Sequence, residues 1–218
     1  MGSLDDAATL ATLRLRMVDL QLRQRGIGDE RVLAAMSRVP RHEFASARYR
    51  DQAYEDHPLP IGEEQTISQP YMVALMLDAL RLSPTDKVLE VGTGSGYVTA
   101  LLAELTREVV SVERHPTLAE RARIVLSELG YKNVKIITGD GTRGYREEAP
   151  YDAIIVSAAA AQLPRDLLEQ LVDGGRMIVP VGREDTQQLQ FVEKRDGQAH
   201  ITLRELCRFV PLVSDAAA

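Results

Sequence analysis

The first 82 positions carry helical spacing. Leu10, Leu13, Met17 and Leu20 fall on one face of a helix, with Arg14, Arg16 and Arg23 at other positions. Gly26-Ile27-Gly28 breaks that helix, and Asp29 offers an N-cap for a second one through Val32, Leu33 and Met36, which Pro40 stops. From Tyr54 to Gln69 the chain is rich in proline, glycine and polar residues and predicts a loop, after which Pro70 opens a helix reaching Arg81.

Beyond Ser83-Pro84 short β-branched runs alternate with helical stretches. Lys87–Val91, Val109–Glu113, Val134–Thr138, Ala153–Val156 and Met177–Val181 predict buried strands, with helices near 96–106, 117–129 and 164–172 between them. That alternation predicts the α/β class and a doubly wound, mostly parallel sheet. Gln188–Glu193 and Ile201–Val210 alternate on either side of Asp196-Gly197, so antiparallel strands are expected at the C-terminal end. The expected organisation is an N-terminal helical region over 1–82 and a Rossmann-like unit over 83–218, packed as one compact body.

Composition narrows the function classes. The chain has 218 residues, 44% hydrophobic and 27% charged, which fits a domain with a lobe and a real core. A net charge of −6 argues against a protein that grips phosphate backbones, so no nucleic-acid partner is expected. The Met1–Asp6 start lacks the basic and apolar features of a secretory leader, and no run approaches the roughly 20 apolar residues of a membrane span. A lipidation reading of Gly2 fails on Asp6. The single cysteine, Cys207, cannot form an intrachain disulfide, and His42, His57, His115 and His200 are widely separated, so no metal is expected. A cytoplasmic monomer is the default, and Ala216–Ala218 are expected to fray.

The strongest chemical signal is Glu90-Val-Gly92-Thr93-Gly94-Ser95-Gly96-Tyr97, where the first strand turns into a helix. Glycines at alternate positions let a ligand approach the backbone, but the spacing is not the dinucleotide G-x-G-x-x-G. Glu90 beside the loop would repel a pyrophosphate and could balance an amino or sulfonium group. Glu113, ending the second strand, stands where a ribose-binding carboxylate belongs, and Asp140 in Gly139-Asp140-Gly141 is placed to accept from an adenine amine. Each residue alone also suits tight packing or helix capping. Together they favour an adenosine cofactor, S-adenosyl-L-methionine over NAD.

Read beside Gln65-Thr66-Ile67-Ser68-Gln69-Pro70, these segments resemble the protein-L-isoaspartate (D-aspartate) O-methyltransferase family. Arg25-Gly-Ile27, Val39-Pro-Arg-His42, Pro58–Gly62, Tyr151–Ile155, Gly174-Gly175 and Phe209–Leu212 carry the resemblance across most of the chain. It implies a class I methyltransferase that moves a methyl group from S-adenosyl-L-methionine to the α-carboxyl of L-isoaspartyl residues, and less well D-aspartyl residues, in age-damaged proteins. S-adenosyl-L-homocysteine is the product, and repair proceeds through a succinimide. By position, the resemblance makes Ser68 the active-site residue on the acceptor carboxylate, with Thr66, Ile67 and Val210 on the substrate. It puts Glu90, Gly92, Thr93, Gly94, Ser95, Gly96, Glu113, Asp140 and Gly141 on the cofactor, and residues 1–82 on the substrate side. Glu64 stands where the family commonly has glycine, and Val98 and Thr142 differ from the Gln and Trp of some bacterial relatives.

An acceptor carboxylate has a reference pKa near 4, so it needs no general base, which suits a site without a Ser-His-Asp set. Ser68 alone would also read as a helix N-cap before Gln69-Pro70. The rivals are a methyltransferase acting on a nucleic-acid base or small molecule, and a binding module that kept the fold. Ser157–Ala160 lacks the Asn/Asp-Pro-Pro-aromatic signature of amine methylation, and the intact Ser68, glycine loop and carboxylates count against a binding module.

Overall fold

The structure, a computed structural model, describes residues 3–183 and 186–214. Met1-Gly2 and Ala216–Ala218, on which the leader, lipidation and fraying expectations largely fall, lie outside them. Strands β1 (Leu59–Gly62) and β2 (Gln65–Ile67) form a small antiparallel hairpin. The main sheet has seven strands: β3 (Lys87–Val91), β4 (Glu108–Glu113), β5 (Val134–Thr138), β6 (Tyr151–Val156), β7 (Leu171–Arg183), β8 (Thr186–Arg195) and β9 (Gln198–Cys207). Its order is β5-β4-β3-β6-β7-β8-β9, parallel from β5 to β7 and antiparallel beyond. The chain winds outward from β3 through β4 to β5, then returns to β6 on β3's other side. That reversal opens a crevice at the carboxyl ends of β3 and β4, where ligands bind open α/β sheets.

Side-chain alternation along the strands separates two cores. Val88, Val109, Ala153 and Ile155 face α2 (Glu30–Arg38), α4 (Pro70–Leu80), α5 (Tyr97–Leu105) and α6 (Pro116–Glu128) in one continuous cluster, so the N-terminal helices and the sheet share a core. Leu89, Val91, Val110 and Ile154 face the other way, towards Leu167 of the short helix α7 (Arg165–Glu169).

The structure differs from the sequence expectations at several points. The first helix, α1 (Ser3–Arg16), widens into a π-type segment over Met17–Leu22, which re-phases its inner face. Met17, Val18 and Leu22 are buried there, and Leu20 is 41% exposed. The expected loop at 54–69 contains the β1–β2 hairpin, and Ala47–Gln52 forms a 3₁₀ helix. Strand β5 is the sheet's edge and only partly buried. The helix expected over 164–172 ends at Glu169, because Leu171 already belongs to β7 and pairs with Tyr151.

One interior feature has a pH consequence. Glu90 of β3 is fully buried; its Oε2 accepts from Thr99 Oγ1 at 2.5 Å and Ser111 Oγ at 2.6 Å, and its Oε1 has no protein partner. Burial pushes this carboxyl up to about 8, the two hydroxyls oppose the shift, and the charge of Glu113 adds to it. The folded protein therefore holds a proton that the unfolded chain releases near 4.5. Stability from this group is full below about pH 4.5 and drains away as pH rises towards 8. Glu90→Gln, which cannot ionise, is expected to be increasingly more stable than the unaltered protein across that interval, as read by urea midpoints at several pH values; parallel curves would contradict it.

Candidate active site

The sequence turns sharply after β3. Gly92, Gly94 and Gly96 have φ of 92°, 54° and 89°, in the left-handed region that glycine enters at no steric cost. Gly96 begins α5, and a Cβ there would stand 3.2 Å from Ala122 Cβ, so its smallness lets α5 and α6 pack together. Glu113 holds the turn from the neighbouring strand: Oε2 accepts from Gly94 N–H at 2.8 Å and Oε1 from His115 N–H at 2.9 Å. Thr93 Oγ1 meets Ser111 Oγ at 2.5 Å, and Ser95 Oγ accepts from Tyr97 N–H at 3.3 Å.

The hairpin closes over this turn. Ile61 Cδ1 lies 3.4 Å from where a Gly94 Cβ would be, and Arg121 of α6 donates to Ile61 O at 3.4 Å. At the hairpin tip Glu63 and Glu64 have φ of 50° and 57°, so Glu64 takes a conformation that glycine adopts more readily. Between hairpin and sheet lies a cavity of about 240 Å³ lined by Thr66, Ile67, Ser68, Gly92, Thr93, Gly94, Ser95, Glu113, Gly141 and Val210 among others. A wider groove of about 1010 Å³ adjoins it and shares Thr66, Ser68, Ser157 and the Val210–Leu212 stretch.

Ser68 therefore sits on the rim between the two spaces. It does not cap α4: the N-cap position is Gln69, which makes no side-chain cap bond. Asp56 substitutes from a distance, its Oδ1 accepting from Tyr71 N–H at 3.0 Å and its Oδ2 from Gln69 Nε2 at 3.2 Å, with Arg25 paired to the same carboxylate. The Ser68 hydroxyl is half-buried and makes no hydrogen bond to a described residue.

Val210 is placed by a second device that the sequence did not reveal. The buried Gln187 side chain accepts from Phe209 N–H at 2.6 Å and donates to Phe209 O at 2.9 Å, clamping both backbone groups of the preceding residue. Ala159 N–H then donates to Val210 O, and Leu212 N–H to Ala159 O, each at 2.8 Å. The 209–213 strap is thereby stitched across the carboxyl end of the sheet. Asp56 and Gln187 carried no local signal, because their partners are backbone groups distant in sequence.

Three expected cofactor residues do not line the cavity. Glu90 lies in the interior beneath the glycine turn, where burial raises its carboxyl to about 8 and favours the neutral form. Gly96 is a packing glycine. Asp140 caps the short turn Gly141–Arg143, accepting from Thr142 N–H at 2.9 Å and Thr142 Oγ1 at 2.6 Å, while Ser214 Oγ donates to its other oxygen at 3.0 Å. It thereby holds Gly141 in the wall, where a Cβ would come within 2.6 Å of Val91 Cγ1.

Similarity to known proteins agrees with this geometry. A protein-L-isoaspartate O-methyltransferase of Koribacter versatilis is 53% identical over 215 residues, covering 99% of this chain and 97% of that protein. Another, of Methanoculleus marisnigri, is 54% identical over 201 residues, covering 92% and 91%. A solved protein-L-isoaspartate O-methyltransferase superposes with a TM-score of 0.85 at 31% identity, over 93% of this chain and 66% of that one. The Plasmodium falciparum beta-aspartate methyltransferase (PCMT), solved in complex with S-adenosyl-L-homocysteine, gives 0.79 at 28%, over 92% and 98%. With the sequence model of protein-L-isoaspartate(D-aspartate) O-methyltransferase (PCMT) matching residues 15–217, the chain belongs to that family.

Proposed function

We propose that this protein methylates the α-carboxyl of L-isoaspartyl residues, and less well D-aspartyl residues, in damaged polypeptides, using S-adenosyl-L-methionine and initiating repair through a succinimide. The observation that carries the reading is the uncommitted Ser68 hydroxyl on the rim shared by a small cavity and a much wider groove. A reaction joining a small cofactor to a chain too large to be enclosed requires that arrangement. The family and its relatives support the same acceptor.

The smaller cavity fits the cofactor. Its glycine turn presents backbone without side chains, Val91, Val112 and Ile67 supply an apolar lining, and Glu113 faces it with lone pairs beyond the two backbone N–H groups it already holds. In this reading Gly92, Thr93, Gly94, Ser95 and Gly141 form the cradle and Glu113 takes the ribose hydroxyls. Glu90, Gly96 and Asp140 act indirectly by fixing β3, α5 and the Gly141 turn. Bound there, S-adenosyl-L-methionine supplies an electrophilic methyl carbon on a sulfonium, which an acceptor carboxylate oxygen takes as the C–S electron pair returns to sulfur.

The chain's own part is orientation and drying. Ser68 donates to one oxygen of the acceptor carboxylate and leaves the other directed at the cavity, a positioning effect and not nucleophilic catalysis. Thr66, Ile67 and Val210 flank the acceptor backbone. Because two opposite charges vanish during transfer, water that solvates them opposes reaction, and the apolar rim of Ile67, Val210 and Leu212 excludes it. No proton moves, so no general base is needed.

The reading takes the enzyme as a cytoplasmic monomer. Cys207 is half-buried with its thiol pushed up to about 11 by burial, which keeps it protonated and unreactive. No helix among the described residues is long and apolar enough to cross a membrane.

With labelled S-adenosyl-L-methionine and paired peptides differing only in isoaspartate or aspartate, base-labile label should enter the isoaspartyl peptide alone; label in neither would reject the reading. Ser68→Ala should lower kcat/KM by about 10-fold to 100-fold, as for loss of one positioning hydrogen bond to a charged group. Its cofactor affinity, measured by calorimetry, should stay unchanged, and equal loss of both would contradict the assigned role.

A further inference from the structure

The far side of the sheet ends in an open edge. β9 is its last strand, so one backbone edge of Gln198–Cys207 has no strand partner among the described residues. Register pairs Val192 with Ile201, Gln190 with Leu203 and, across a bulge, Gln188 with Leu206. Paired residues share a sheet face, so these three apolar side chains form one stripe. They are 48%, 61% and 69% exposed, and the short α7 packs further in, against β7. A long edge strand with an apolar face invites pairing unless charge or cover protects it. Arg204 leans to the opposite face, over the Phe191 ring at 5.7 Å, and leaves the stripe open.

The stripe runs directly into the acceptor groove. Leu206 and Cys207 line that groove together with Ser68, Phe209 and Val210, so the end of β9 and the reacting centre border one continuous space. We infer that a flank of the acceptor polypeptide adds to the sheet as an extra strand along the free edge of β9, its alternate apolar side chains resting on Ile201, Leu203 and Leu206. This rests on the reading above that the acceptor is a carboxylate within a polypeptide. Strand addition uses main-chain hydrogen bonds, which any sequence can make, and so suits an enzyme whose acceptor arises at scattered positions. From Gln198 to Leu203 the edge runs about 17 Å without a bulge at the usual strand rise, enough for roughly six acceptor residues.

The test compares isoaspartyl peptides with a common short core, extended in turn on the amino or the carboxyl side by about eight residues of alternating valine and threonine. One extension should lower KM about tenfold, the equivalent of one or two net hydrogen bonds. The double variant Ile201→Lys, Leu203→Glu, altered only at exposed positions, should lose that advantage while keeping kcat and the short-peptide KM. N-methylation of alternate backbone amides in the extension should erase it in one phase and spare it in the other. The inference is overturned if neither extension lowers KM, if the advantage survives the double substitution, or if both N-methylation phases act alike. Sedimentation showing a dimer that the substitutions dissociate would also overturn it, assigning the edge to a second copy of the chain. Normal methylation of the short peptide with no benefit from extension rejects this inference alone, whereas no methylation of any peptide rejects the functional reading beneath it.

Discussion

The Glu113 carboxylate accepts from Gly94 N–H with one oxygen and from His115 N–H with the other, and the cofactor side of the molecule hangs on that bridge. One bond sets the glycine turn and the other sets the residue from which α6 departs. Hydrogen bonds to a charged acceptor contribute about 1.5–3 kcal/mol each, comparable to the conformational entropy lost when one or two loop residues are fixed, at about 1–2 kcal/mol each. A second anion nearby would weaken the bridge, and burial biases the carboxyl of Glu90, which lies on the adjacent strand opposite Ser111, towards its neutral form. The two carboxyls thus divide their work: one organises backbone at the crevice, the other joins β3 to Ser111 and Thr99 beneath it.

On the acceptor side the controlling constraint is a helix that does not cap itself. Because Asp56 reaches across to Tyr71 N–H, Ser68 is not consumed by α4 and its hydroxyl stays at the rim. Gln187 plays the matching part for the strap by satisfying both backbone groups of Phe209. In each case a polar side chain from another element takes a bond that would otherwise restrict the residue beside the reaction.

Much of the sheet was legible in the sequence because strands buried on both faces read as continuous apolar runs, as in Lys87–Val91 and Ala153–Val156, and because Asp196-Gly197 marks a two-residue hairpin. The hairpin at 59–67 was not, since its strands are short and carry the Pro and Gly that signal loops. Leu20 was misplaced because a π-type turn changes the period that the helical pattern assumes. At the site, spacing located the glycine turn and Glu113. It could not separate a carboxylate that faces the cavity from one that faces the interior, as Glu90 does, because that depends on which strand stands alongside. Ser68 stayed ambiguous for a similar reason: whether it caps the helix is decided by Asp56, in a different segment.

The strap separates the fold from the cavity that it walls. Residues 210–213 wall the cavity and, with Phe209, are tied to Ala159, Gln187 and Arg114, yet they follow every strand of the sheet in the chain. A substitution confined to the strap can therefore leave every strand pairing of the sheet in place and still take away part of the wall of the cavity. Stability and competence for methyl transfer thus rest on different segments, one on the strand ladders and the other on a few backbone bonds beyond them.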